Sequence, residues 1–301
     1  MKQIIRITVG LTLSCLIAAF VMGATFMVTH EAKKHNEHMN VQQTMLGLLG
    51  YGKQNPVPSD LALHSIYRYI IEEGQNKFLG YVLPVEAEGE DGYMLVMIDL
   101  EGNFVSKYAL SLGAAEAGEA PEREAALLEV LKPPKTFSYS DATVVAELGE
   151  RRVAYLLPGA FPGFKTFIHV MLALNPNYEI RGLEIMEHEE DPGLGAEIEE
   201  DYFKNQFSGK PLEKVKELEV VKEPLPDRYR ACLEGETGTL SASDIEQIRS
   251  QYRDQDIYAL TGATISSRAV TVGVKGMIKK FAYRIEILDR VMDRQNIKAA
   301  F

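Results

Sequence analysis

From Ile7 to Thr29 the chain carries no charged side chain, and this run limits the fold more than any other feature. It is long enough to cross the hydrocarbon core of a bilayer as a helix, where every backbone N–H and C=O finds a partner within the segment. Lys2 and Arg6 precede it; Glu31, Lys33 and Lys34 follow. With the terminal amine counted, the flanking charge favours a cytoplasmic N-terminus. A cleaved signal peptide is the rival reading. The run exceeds a usual signal core and no small-residue cleavage site follows it, so an uncleaved anchor is expected. Residues 1–30 read as a transmembrane anchor, and residues 31–60 as a juxtamembrane helix to about Leu49 with a linker. His30, His35 and His38 fall on that polar helix without a Cys or well-spaced carboxylate, so no metal site is expected.

Beyond the anchor the composition is that of a globular domain, with 25% charged residues overall. The formal charge is −11 and no basic stripe is present, which argues against nucleic acid as a partner. The two cysteines, Cys15 in the apolar run and Cys232 in the polar C-terminal third, do not suggest a disulfide or a metal spacing. Redox chemistry in this chain therefore needs a cofactor.

Ser65–Ile71 and Phe78–Leu83 are β-rich and flank a Gly-containing turn; Tyr93–Leu100 and Phe104–Leu110 flank Glu101-Gly102-Asn103. The pattern then recurs. Thr143–Leu148 and Arg152–Leu157 form a hairpin, and Thr166–Leu174 and Glu179–Met186 another. Tyr81-Val82-Leu83-Pro84 aligns with Tyr155-Leu156-Leu157-Pro158, which marks a duplicated four-strand unit. A helix over Glu122–Lys132, stopped by Pro133-Pro134, links the copies. Alternation in Glu179–Met186 implies sheets covered on one face. The fold class is α+β: an N-terminal transmembrane helix, then a domain of two duplicated antiparallel strand units with flanking helices. The first repeat spans 61–140 and the second lies within 141–301.

The copies differ after their last strand. The first runs into an Ala/Gly/Glu-rich loop, Gly113–Ala120. The second runs into Glu190-Asp191-Pro192-Gly193-Leu194-Gly195, a tight turn with bare backbone, then a helix expected over Ala196–Phe207. Read as a plain turn it only leads into that helix; read functionally it is a platform for a flat ligand. Lys214–Lys222 reads as a charged strand. Glu223–Gln255 is polar, with turn signals at Pro224, Pro226 and Glu234–Gly238 and a helix start with a capping box at Ser243–Glu246. A last helix is expected from Ser266 to about Asp293, and the tail to Phe301 reads as a fraying end.

Thr261-Gly262-Ala263-Thr264 lies at the start of that last helix. Gly262 and Ala263 leave room beside the backbone, and the first helical turn offers free N–H groups to a phosphate. Ser266 and Ser267 add hydroxyls, and Arg268 a cation. The bland reading is an ordinary helix cap with small residues.

The tetrad resembles the [S/T]-G-A-T acceptor motif of covalent FMN-binding proteins, whose last Thr carries FMN through a phosphoester bond. Glu190–Gly195 resembles that family's E-T-P-G-L-G signature, with Asp191 in place of Thr. Phe203–Lys210 (FKNQFSGK) resembles its W-x-x-Q-F-x-G-K segment, with Phe203 in the Trp position. The family pattern has an Asp three residues before the tetrad; Tyr258 stands there, and Asp256 is the nearest acid. The likeness is to G subunits of Rnf-type ferredoxin:NAD oxidoreductase complexes, with C subunits of sodium-pumping NADH:quinone reductases related. It is loose over the anchor and more specific from Ala142 onward.

The resemblance implies a cofactor, FMN, covalently bound through its phosphate to Thr264. It also implies a site made of Thr261, Gly262, Ala263, Ser266 and Ser267 with Glu190, Pro192, Gly193, Leu194 and Gly195. No catalytic residue and no metal are implied. The partners would be other membrane subunits of an electron transport complex and a flavin transferase donating FMN from FAD. The location would be the bacterial inner membrane, single-pass, with the main domain on the periplasmic side. Two other readings stand beside it: a stand-alone anchored FMN carrier, and a colourless scaffold module. A hydrolase through Ser266 or Ser267 is disfavoured, because no G-x-S-x-G elbow exists and His169 and His188 show no tie to those serines.

Overall fold

The structure is a computed structural model that describes residues 2–87, 90–235 and 240–301. It divides into two compact units, Met1–Gly47 and Leu48–Phe301. In the first, anchor and juxtamembrane segment are one continuous helix, α1 (Lys2–Leu48). Its portion Lys2–His30 is long and apolar enough to cross a membrane, and none of it is buried by protein. Such a helix needs a non-aqueous neighbour, because its large apolar side chains are otherwise left in water. Among the described residues no group of three His, Cys, Asp or Glu gathers as metal ligands.

The second unit is built on one eight-stranded antiparallel sheet. Its strands are β1 (Leu61–Glu73), β2 (Asn76–Ala87), β3 (Glu90–Ile98), β4 (Phe104–Leu110), β5 (Thr136–Leu148), β6 (Arg151–Pro162), β7 (Phe167–Leu174) and β8 (Ile180–Glu187). Their order is β4-β3-β2-β1-β5-β6-β7-β8. Each repeat is a meander, and the two join edge to edge where β1 pairs with β5. All four expected hairpins are present, with β1, β2, β5 and β6 extended beyond the expected limits. The repeats make one sheet and not two, because joining β1 to β5 satisfies two edges that would otherwise be unpaired.

The sheet of the first repeat is covered on both faces, contrary to the one-sided expectation. Tyr69, Ile71, Val82, Leu95 and Met97 pack with Leu127 and Leu131 around α3 (Ala120–Val130). Ile66, Tyr81, Leu83, Val96 and Ile98 face the main core, with α8 (Thr264–Arg294). The loop before α3 holds a further short helix, α2 (Ala114–Ala117). α8 buries Val270, Val274, Ile278, Phe281, Ile285 and Leu288.

Where α8 crosses β6, the backbones are close. A Cβ on Gly273 would lie 2.3 Å from the Phe161 ring, and one on Gly159 would lie 2.5 Å from Met277. Gly273→Ala is therefore expected to lower stability by about 1–3 kcal/mol through overpacking. Gly276 on the same helix has nothing within 4 Å of its missing Cβ. Gly276→Ala should instead gain about 0.5–1 kcal/mol from helix propensity. Urea denaturation of both variants checks the pair; two equal shifts would mean that α8 does not cross β6 this closely.

The segment after β8 differs from expectation. In place of a continuous helix over Ala196–Phe207 there are two 3-10 turns, Gly195–Glu199 and Asn205–Phe207, around α4 (Asp201–Lys204). The broken path buries Ile198, Phe203 and Phe207 together. The expected charged strand is α5 (Leu212–Glu217) followed by the two-residue β9 (Val220–Val221), paired with β10 (Ile257–Tyr258). Between these lie α6 (Asp227–Leu233) and α7 (Ala242–Tyr252), which share a small core of Tyr229, Cys232 and Ile248. The capping box is Ser241 with Asp244, two residues earlier than expected. Residues 236–238 of the expected turn lie outside the described residues. Nor does the C-terminal tail fray: Ala300 N donates to Pro84 O, and Glu86 N to Lys298 O, adding a bridge to β2.

Candidate functional site

The turn after β8 and the turn before α8 meet at one corner. Gly193 and Gly262 both take a left-handed backbone, with φ of 71° and 78°, which glycine adopts without strain. The missing Cβ of Gly262 would lie 3.0 Å from Leu194 Cδ2. That of Gly195 would lie 2.8 Å from both Glu190 Oε2 and Ser266 Oγ. Segments far apart in the chain are thus packed backbone against side chain, with no room for a methyl group at Gly195.

Glu190 is the tie. It is 4% exposed. Its Oε1 accepts from Phe164 N at 2.7 Å, and its Oε2 accepts a short hydrogen bond from Ser266 Oγ. One carboxylate so joins the β6–β7 loop, the Gly193–Gly195 turn and α8. Charge-assisted bonds of this kind are stronger than neutral ones and set geometry. Ser266→Ala should cost about 1–3 kcal/mol, because a buried carboxylate loses a donor. An unchanged urea midpoint would show that Glu190 is satisfied without Ser266.

The hydroxyls along the start of α8 fall into two classes. Ser266 is spent on Glu190. Ser267 Oγ accepts from Leu260 N and donates to Ala263 O, both at 3.0 Å. Both serines are buried, and their hydroxyls are engaged within the corner. Thr261 is exposed and Thr264 half-buried, and neither hydroxyl bonds to another described residue. Ala263 stands at the N-cap and no side chain caps the helix. The first-turn N–H groups are therefore left without a side-chain acceptor at the positive end of the dipole.

The β6–β7 loop lies outside the expected site residues, yet it belongs to the corner. A Cβ on Gly163 would come within 2.4 Å of Glu190 Oε1, and Lys165 pairs with Asp191. Asp191 O accepts from Leu194 N and Ala196 N, closing the turn. Pro162-Gly163 is the available signal for a turn, but nothing local to it points at Glu190. Phe164, Leu194 and Ile265 are exposed large apolar residues in the three segments that form the corner.

The Phe203–Lys210 segment serves the corner from behind. Gln206 Oε1 accepts from Tyr258 N at 2.8 Å, and its Nε2 donates to Tyr258 O at 3.3 Å. Lys210 is fully buried, and its Nζ donates to the carbonyls of Tyr252, Arg253 and Gln255. Burial pulls its ammonium down to about 8, with the charge of Lys214 adding to the shift. Gln206 holds the strand that leads into Thr261, and Lys210 holds the turn before that strand. Tyr258 itself joins an aromatic cluster with Tyr229 and Tyr252. Asp256 accepts from Lys214 Nζ and Glu219 N. Burial pushes its carboxyl up, but those bonds outweigh burial and hold its pKa below the ordinary value.

A polar cleft of about 510 Å³ lies elsewhere, lined by Arg181, Arg249 and Arg253 with Tyr229 and Tyr252. It includes no residue of either turn.

Among known proteins, the chain is 30% identical over 135 residues to the G subunit of the proton-translocating ferredoxin:NAD(+) oxidoreductase complex of Clostridium ljungdahlii. The alignment covers 45% of this chain and 57% of that relative's length. Among solved structures, it resembles NqrC of Shewanella oneidensis at 19% identity and a TM-score of 0.34, covering 49% of this chain and 58% of that one. It also resembles the C subunit of the Na(+)-translocating NADH-quinone reductase of Parabacteroides distasonis at 17% identity and a TM-score of 0.34, covering 66% and 77%. Residues 163–279 match the FMN-binding domain family, a span that takes in the β6–β7 loop, both turns of the corner and the first half of α8.

Proposed function

We propose that the protein is a membrane-anchored flavin carrier that holds FMN covalently on Thr264 and relays electrons within an Rnf- or Nqr-type complex. The observation that carries this is the corner itself. It sets a free threonine hydroxyl at an uncapped helix start, inside a span matching the FMN-binding domain family. The residues fit the group. The first-turn N–H groups of α8 suit a phosphate. Gly262, exposed and without a side chain, presents bare backbone to the chain that follows it. Leu194 and Ile265 offer apolar surface to a flat ring. The Glu190 carboxylate is turned inward to Phe164 N and Ser266, so it does not set a bare charge against the phosphate.

FMN would supply the electron chemistry. The protein's part is to fix its position and to keep the phosphodiester charge at the positive end of α8. Attachment would form the bond from Thr264 Oγ to phosphorus and release AMP from FAD, catalysed by a separate flavin transferase. The apolar span Lys2–His30 supports a single-pass location in the bacterial inner membrane. The flanking charges lean toward an extracytoplasmic position for the main domain. The other membrane subunits of the complex would be its electron partners.

The test is mass spectrometry of the proteolytic peptide containing Thr264 after co-production with a flavin transferase. The peptide should carry the mass of FMN less one water. An unmodified peptide, with a control protein fully flavinylated in the same cells, would remove covalent attachment from the reading.

A further inference from the structure

At the seam between the repeats, Arg68 of β1 lies opposite Asp141 of β5. Arg68 is 9% exposed and donates to Asp141 through Nε at 2.9 Å and Nη2 at 2.5 Å. Arg284 of α8 donates to the same carboxylate through Nη1 at 3.3 Å. Two guanidiniums and one carboxylate leave a net positive charge beneath α8. Beside them is a crevice of about 20 Å³, lined by Arg68, Tyr81, Asp141, Thr143 and Arg284 with apolar neighbours. That is room for one water or one ion of similar size.

Tyr81 decides what the crevice suits. It is 5% exposed, and its hydroxyl is buried without a hydrogen-bond partner among the described residues. Both guanidiniums act on it electrostatically. Its counterpart in the second repeat, Tyr155, accepts from Arg152 Nη1 at 2.8 Å. The duplicated tyrosine is therefore satisfied in one copy and orphaned in the other. A buried orphan donor calls for a missing partner. The donors here outnumber the acceptors, and the local charge is positive.

We propose that the crevice between Arg68, Tyr81 and Arg284 binds a monatomic anion, chloride in most solutions. A halide accepts from every donor present and cancels the surplus charge. The wall already has an anion, Asp141, which a polyatomic oxyanion would crowd in so small a space. An anion bound only to the folded state stabilises it by mass action. It would lock β1, β5 and α8 together where the two repeats join.

The test uses the full chain in non-ionic detergent, with urea denaturation in sodium chloride, bromide or gluconate at equal ionic strength. A saturable rise of the midpoint in chloride and bromide, absent in gluconate, is expected. Tyr81→Phe, which removes only the orphan hydroxyl, should raise the half-saturating chloride concentration about tenfold or more, the effect of one hydrogen bond to a charged group. Bromide soaked into crystals should give an anomalous peak beside Arg284. Identical midpoints in chloride and gluconate overturn the proposal and leave a water in the crevice. So does a chloride response that Tyr81→Phe leaves unchanged.

Discussion

Thr264→Ala, co-produced with a flavin transferase, is expected to run as a dark band under ultraviolet light after denaturing electrophoresis, where the unsubstituted chain fluoresces. The loss should be complete, because no bond to the flavin survives without the Oγ atom. Four hydroxyls lie close together here, and their surroundings differ. Ser266 is engaged by Glu190, and Ser267 bridges Leu260 N and Ala263 O. Thr261 precedes Gly262, outside the helix, while Thr264 is its first residue. Thr261→Ala should thus keep its fluorescence, and so should Ser266→Ala once its lower stability is allowed for. Thr264→Ser, which retains a hydroxyl at the same place, should keep part of it. A fluorescent Thr264→Ala band would sink the assignment and move attention to Thr261.

The second large effect is on stability. Asp141→Ala removes the carboxylate that Arg68 and Arg284 share. Burial lowers the Arg284 pKa, and the charge of Arg68 lowers it further. With Asp141 gone, two like charges would face each other beneath α8. Breaking a buried pair typically costs about 3–5 kcal/mol. Asp141 is itself 36% exposed, so solvent screens part of this and about 2–4 kcal/mol is expected. The double substitution Asp141→Ala with Arg284→Met removes one of the stranded charges and should recover part of the loss. Urea denaturation of the single and double variants closes the cycle. A double variant less stable than the sum of the two single losses would show that like-charge repulsion is not the cause.

Much of this architecture is legible from short-range pattern. An uncharged apolar run, hairpins with glycine turns and a repeated Tyr-x-Leu-Pro strand are local signals, because side-chain period and turn chemistry depend on near neighbours. The two turns of the corner, Glu190–Gly195 and Thr261–Thr264, stand out for the same reason. Less regular stretches do not. Ala196–Phe207 lacks the means to signal its breaks, since these arise from burying Ile198, Phe203 and Phe207 against the sheet. The tail reads as loose because its partner, β2, lies more than two hundred residues earlier.

Local pattern alone dictates an apolar helix, a duplicated meander and two glycine turns rich in small and hydroxyl residues. How those hydroxyls are used is settled by the folded chain. Ser266 meets Glu190 across 76 residues, and Arg68 meets Asp141 across 73. Such pairings follow from which strand lies beside which, and the linear order of side chains carries no record of it. Folding brings a buried carboxylate to one hydroxyl and leaves that of its neighbour Thr264 without a bond among the described residues. That choice is a matter of desolvation: a buried charge must be paired, and an open helix end need not be.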